Sequence, residues 1–106
     1  MYKMEFLPIA KKDIDNIIYY ISYNLKNITA SKKLRDLFIS KLDDIVEFPY
    51  RNSIYQPIGT LKNEYRSYRV KNFLIFYLIN EDEKLITIVR ILYQKMKEKR
   101  AKGGKA

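Results

Sequence analysis

The chain has 106 residues, enough for one domain with a single hydrophobic core and little more. It holds no cysteine and no histidine, which removes disulfides, thiolate nucleophiles, the usual zinc ligands and the commonest acid–base group at neutral pH, so neither metal nor cofactor is expected. Any catalysis must therefore use Lys, Arg, Tyr, Asp or Glu, and the net charge is +9. The charge is unevenly spread. Residues 1–48 carry eight Lys/Arg against seven Asp/Glu, residues 49–94 seven against four, and residues 95–106 six against one. The positive field therefore belongs to the second half and the tail, and suits a phosphate backbone or an acidic protein, although a solvated basic tail alone would give the same count. No apolar run approaches the length of a membrane span, and Met1–Glu5 lacks a secretory pattern, so the chain reads as cytoplasmic with no membrane partner.

In chain order, Tyr2–Phe6 is a short edge-strand candidate closed by Leu7-Pro8, and Pro8 suits the first turn of a helix. Ile14, Ile17, Ile18, Ile21 and Leu25 then fall on one helical stripe, with Lys11, Lys12, Asp13, Asp15 and Asn16 on the other face. After a break at Asn24–Asn27, Thr29 is the expected N-cap of a second helix, whose stripe runs through Ala30, Leu34, Leu37, Phe38, Leu42, Ile45 and Val46 to Phe48-Pro49. Two amphipathic helices with so short a connection predict an antiparallel hairpin. Residues 49–63, with Pro49, Pro57 and Gly59, read as an irregular connection.

Three strands follow: Glu64–Val70, Phe73–Ile79 and Leu85–Leu92, the last two joined by the polar turn Asn80–Glu83. Phe73–Ile79 is apolar on both faces, as a central strand would be. The order β-α-α-β-β-β predicts an α+β fold, with an N-terminal strand and a helical hairpin packed on a small twisted antiparallel sheet. Residues 1–94 are expected to form the domain, and residues 95–106 a basic mobile tail without a core-facing stripe. In the first of the three strands Arg66 and Tyr68 share one face, while Tyr65, Ser67 and Arg69 share the other. Whichever set is exposed, an arginine and a tyrosine occupy open sheet surface. Arg90 is the one charge within Leu85–Leu92, and it either serves a site or pairs with a carboxylate while its stem packs. In an ideal strand Tyr93 faces away from Arg90, so a joint site requires the strand to end or bulge between them.

The block Tyr65-Arg66-Ser67-Tyr68-Arg69-Val70-Lys71-Asn72-Phe73-Leu74-Ile75-Phe76-Tyr77, followed by Ile86-Thr87-Ile88-Val89-Arg90-Ile91-Leu92-Tyr93, resembles the RelE/ParE toxin superfamily. Pro8-Ile9-Ala10 opening a helix with Asp13 and Ile14, and the stop at Phe48-Pro49, resemble it too. The resemblance implies the toxin of a bacterial type II toxin–antitoxin pair, inhibiting growth and partnered by a small acidic antitoxin that wraps it with a helix and an extended segment. RelE-like members cleave mRNA on the ribosome, whereas ParE-like members poison DNA gyrase by binding. Metal-independent RNA cleavage needs a base, a phosphate-holding cation and an acid. Leu74 stands where ribonuclease members place an arginine, and Tyr93 where the YoeB-like branch has a histidine. For a ribonuclease the substitute catalytic set is Arg69, Arg90 and Tyr93, Tyr being a sluggish base at its ordinary pKa of about 10. The segment Arg90-Ile91-Leu92-Tyr93-Gln94-Lys95-Met96-Lys97 echoes the ParE-like ending, with Lys97 in place of its usual Asp. The resemblance leans to the ParE-like branch, with Arg66, Arg69, Lys71, Arg90 and Lys95 as contacts for target or nucleic acid. A basic nucleic-acid-binding module without toxicity is the remaining reading.

Overall fold

A computed structural model describes residues 1–55 and 64–94. The tail 95–106, with Lys95, and the Pro57–Gly59 part of the long connection lie outside the described residues. The elements are β1 (Lys3–Phe6), α1 (Pro8–Tyr19), a π-helical segment (Tyr20–Asn24), α2 (Ile28–Glu47), β2 (Arg66–Val70), β3 (Phe73–Asn80) and β4 (Leu85–Tyr93). The strands form one sheet in the order β1-β4-β3-β2. β2, β3 and β4 are antiparallel neighbours, as the sequence leads one to expect, whereas β1 joins β4 in parallel, so the whole sheet is mixed. The reason is topological. After the hairpin α1–α2 and the β2–β3–β4 meander, β4 runs in the same direction as β1 and accepts it at its free edge.

Pro8 opens α1, where a missing N–H costs no hydrogen bond. Ile14, Ile17 and Ile21 pack against the core, but Leu25 is exposed. A π-turn winds in an extra residue and rotates the helix phase, which carries Leu25 off the stripe. α2 begins at Ile28, one residue before the expected cap Thr29. Asn27 is the N-cap instead, its Oδ1 accepting the Ala30 N–H at 3.0 Å. Where the helices meet, Ser22 Oγ donates to Ser31 Oγ at 2.8 Å and Ser31 Oγ donates to the Ile28 carbonyl at 2.8 Å. The near-buried Ser31 is thereby satisfied, and its small side chain lets the helices approach.

The hairpin covers one face of the sheet. Leu34, Phe38 and Ile45 of α2 and Ala10 of α1 meet Val70, Ile75, Tyr77, Ile86, Ile88 and Ile91 in the core. Tyr77 is fully buried, and its hydroxyl donates to the Pro49 carbonyl at 2.8 Å and accepts from Asn52 Nδ2 at 3.2 Å, pinning the chain that leaves α2. The other face carries Leu74, Phe76 and Leu78, and residues 53–55 run along the outer edge of β2, bridging to it through Ile54 and Arg66. There the Tyr55 ring meets Phe76 edge-on at 4.9 Å. No helix among the described residues is long and apolar enough to cross a membrane.

Candidate functional site

The register between strands decides which of the candidate side chains share a surface. Tyr68 faces the helices, its hydroxyl donating to Asp44 Oδ2 at 3.1 Å, so Arg66, Tyr68 and Val70 are the helix-side set. Arg69 and Tyr65 are therefore the arginine and tyrosine of the open face. Arg66 is engaged at the sheet's edge: its Nη1 donates to the Asn52 carbonyl at 2.7 Å and its guanidinium lies 5.0 Å from the Tyr50 ring centroid. Arg69 is exposed and donates from Nη2 to Gln94 Oε1 at 3.0 Å and from Nη1 to the Lys71 carbonyl at 3.3 Å. Among the described residues no carboxylate pairs with it. Lys71, in the turn between β2 and β3 with φ 55°, is exposed beside it.

Arg90 is held differently. The β3–β4 register slips between Phe76, which opposes Arg90, and Tyr77, which opposes Ile88, leaving Val89 as the extra residue of a bulge. β1 pairs with β4 only as far as Ile88, and Leu7 N–H closes that end on the Ile88 carbonyl at 3.0 Å. Beyond it α1 supplies the missing acceptor. Asp13 Oδ2 accepts from the Ile91 N–H at 2.9 Å and from Arg90 Nε at 2.8 Å, and Oδ1 accepts from Arg90 Nη2 at 2.9 Å. This is a two-pronged guanidinium–carboxylate pair, the strongest form of such a contact. The side chain of Asp13 is 12% exposed and that of Arg90 41%.

Tyr93 lies across from Phe73, on the helix side, and its ring meets Phe73 edge-on at 5.4 Å while remaining exposed. The bulge falls before Arg90 rather than between Arg90 and Tyr93, so these two still diverge. Arg69 and Arg90 thus both rise from the open face, Arg90 opposite Phe76 and beside Tyr55 and Tyr65 with its guanidinium turned to Asp13, whereas Tyr93 lies on the helix side. Arg69 and Lys71 are the two candidates brought together.

Two groups that the candidate list omits matter to the architecture. Asp13 is one; Asp15 stands two residues on in the same helix, and spacing alone does not tell the two apart. Glu81 is the other. It accepts from Tyr2 Oη at 2.8 Å and Tyr50 Oη at 2.6 Å and pairs with Lys84, tying β1, the α2 exit and the β3–β4 turn together. The hydrogen bonds from Lys84, Tyr50 and Tyr2 hold the Glu81 carboxyl down at about 2, and Glu81 in turn pushes the Tyr50 hydroxyl up to about 12. Burial works to raise the Asp13 carboxyl, but the Arg90 and Ile91 donors outweigh it and the net shift is downward. Both folded carboxyls lie below their unfolded values. Their stabilisation is therefore complete above about pH 4.5 and is lost as pH falls toward 2. Urea titrations at successive pH values are expected to show a midpoint flat from about pH 7 to 5 and falling below about 4.5. A midpoint that rises on acidification would contradict these assignments.

Comparison with known proteins places these features in a family. The family model described as the ParE toxin of the type II toxin–antitoxin system, parDE, matches residues 4–98. A structure titled as the chromosomal ParDE system from P. aeruginosa is similar with a TM-score of 0.68 at 15% identity, covering 90% of this chain and 98% of that one. The RelBE2 toxin–antitoxin complex from Mycobacterium tuberculosis gives 0.58 at 15% identity, covering 88% and 98%. The isolated E. coli RelE toxin gives 0.59 at 14% identity, covering 95% and 93%. Among curated protein sequences none matches. At these identities the solved structures speak for the fold alone, and the family model, which spans nearly the whole chain, carries the assignment: the chain belongs to the ParE toxin family of type II toxin–antitoxin systems.

Proposed function

We infer that this toxin inhibits growth by binding DNA gyrase, without bond-breaking chemistry of its own, and that a small acidic antitoxin restrains it. The observation that carries the reading is the separation of Tyr93, on the helix side, from Arg69 and Arg90 on the open face. A ribonuclease needs a proton acceptor and a phosphate-holding cation around one scissile group. Here the tyrosine lies across the sheet from Arg69, and Arg90 already gives two of its guanidinium N–H groups to Asp13. The ParE description of the matching family model supports the same branch. Within the contact set, Arg66 and Arg90 hold internal partners, so among the described residues Arg69 and Lys71 are the groups most open to a target, Lys95 lying outside them. An acidic antitoxin would meet the same positive end.

Induced expression in a bacterial host tests the reading. Filamentation, an SOS response and cleaved plasmid with intact transcripts are expected. The variant Arg69→Ala/Lys71→Ala should weaken toxin action by roughly 10- to 100-fold, about one charged contact per residue, while Tyr93→Phe leaves it unchanged. Transcripts cut within ribosome-bound codons, and silenced by Tyr93→Phe or Arg69→Ala, would instead establish the ribosome-dependent mRNA endoribonuclease. No growth effect, with nucleic-acid binding retained, would leave a basic binding module.

A further inference from the structure

The tip of the helical hairpin is apolar and cationic at once. Residues 23–29, the chain around the turn between the two helices, are exposed without a break. Tyr19, Tyr20, Tyr23, Leu25 and Ile28 are each more than half exposed, and the rings of Tyr19 and Tyr23 lie with centroids 4.6 Å apart. The π-helical segment Tyr20–Asn24 contributes to this set, because the phase it turns carries Leu25 from the core stripe to the outside. Between Asp15 and Asp36 there is no carboxylate, whereas Lys26, Lys32, Lys33 and Arg35 all lie there and are exposed. The β2–β3 turn adds charge of the same sign: Asn72 shares a hollow with Tyr20 and Leu25, and Lys71 precedes it. At the far end of the molecule, where the chain leaves α2 for the β3–β4 turn, Glu5, Glu64, Glu81 and Asp82 line one hollow with Tyr50. The molecule is electrically polarised, with the apolar tip at its positive end.

We propose that this tip is a membrane-adsorption surface, which seats its exposed Tyr, Leu and Ile side chains in the headgroup layer of an anionic bilayer while Lys26, Lys32, Lys33 and Arg35 meet lipid phosphates. Tyrosine suits that depth, with its ring at the apolar boundary and its hydroxyl in water. Each lysine or arginine held near an anionic surface raises affinity about five-fold. Leu25 and Ile28 favour lipid over nucleic acid, because a phosphate backbone answers the cations but leaves both side chains in water. The shape favours lipid over a folded partner, since a fluid bilayer receives a projecting tip without a matching hollow. No described helix can span a membrane, so the contact is shallow and reversible. The expectation of no membrane partner rested on the lack of a span, and peripheral adsorption needs none. The charge polarity also orients the molecule, turning the carboxylate end away from the anionic surface. Adsorption requires neither gyrase nor antitoxin and stands whatever target the toxin acts on.

Because the chain has no tryptophan, Tyr23→Trp supplies a single fluorescent reporter at the tip, and Tyr50→Trp one at the far end beside the carboxylates. Vesicles of phosphatidylcholine with roughly a third phosphatidylglycerol should shift the Tyr23→Trp emission to shorter wavelength, half-saturating near about 0.1 mM lipid, and leave Tyr50→Trp unmoved. Pure phosphatidylcholine should bind at least about 30-fold more weakly, as should the charged vesicles in about 500 mM salt. In co-sedimentation of the full chain, Lys32→Gln/Lys33→Gln should lose about 10- to 30-fold, and Tyr23→Ser/Leu25→Ser, which keeps the charge, about 10-fold or more. All four positions are exposed, so the fold is kept. No co-sedimentation at about 2 mM charged lipid overturns the proposal. Binding that survives Tyr23→Ser/Leu25→Ser intact, or that shifts Tyr50→Trp and not Tyr23→Trp, also overturns it, since the contact would then lie elsewhere or be electrostatic alone. A Tyr23→Trp signal that responds to duplex DNA but not to vesicles would make the tip a nucleic-acid contact and overturns it equally.

Discussion

Phe38→Ala is expected to remove about 3–5 kcal/mol of folding stability, the range for deleting a buried aromatic ring. Phe38 is 1% exposed and sits on the sheet-facing stripe of α2, where its ring meets Phe73 of β3 at a centroid distance of 5.7 Å. It joins the hairpin to a strand that runs through the middle of the sheet. A domain of this length holds only about 5–15 kcal/mol in total, so the variant should be largely unfolded at 37 °C or close to it. Urea denaturation monitored by far-UV circular dichroism measures the loss, and growth inhibition should vanish with it. A loss under about 1.5 kcal/mol would mean that the helices are not held to the sheet through this ring. Phe38→Leu, which keeps most of the volume, should recover much of the difference.

The features legible in the sequence are those that repeat. Ile14, Ile17 and Ile21, then Leu34, Phe38 and Ile45, mark helix faces by spacing, and the double-sided apolarity of Phe73–Ile79 marks an interior strand; all are placed accordingly. What was not legible depends on single contacts. β1 is four residues long and has no pattern that could distinguish parallel from antiparallel pairing. Asn27 and Thr29 are both acceptable caps, and only the helix start discriminates them. Alternation along β2 left two possible faces, and Tyr68 reaching Asp44 selects one. The π-helical segment breaks the helical period too briefly to appear in a periodicity that short. Arg90 offered two roles, and its acceptor lies 77 residues earlier in the chain, one of seven carboxylates in the first 48 residues. Which of the arginines in the second half hold internal partners was decided by Asn52, Asp13 and Gln94, none of which is distinguished by its type.

Asp13→Ala is expected to cost about 2–3 kcal/mol, although the residue belongs to no core cluster. Its carboxylate receives three hydrogen bonds, two from Arg90 and one from the Ile91 N–H, at the point where β1 has ended and β4 has bulged. Alanine leaves the Ile91 N–H without its acceptor on a half-covered strand edge. Arg90, partly exposed, can turn to water, which keeps the loss below the roughly 3–5 kcal/mol of a fully buried ion pair. Arg90→Met should cost less, about 1–2 kcal/mol, because Asp13 retains the backbone N–H and methionine replaces the packing of the arginine stem. The double variant should fall short of the sum of the two by about 1 kcal/mol, the coupling of the direct pair. Additive losses would show that Asp13 acts on the strand edge alone. The same pair of variants separates structure from recognition. If the gyrase-binding surface uses Arg69 and Lys71, then Arg90→Met should lower toxin action only as far as it lowers the folded fraction. A loss of action well beyond that fraction would make Arg90 a contact residue that Asp13 merely presents.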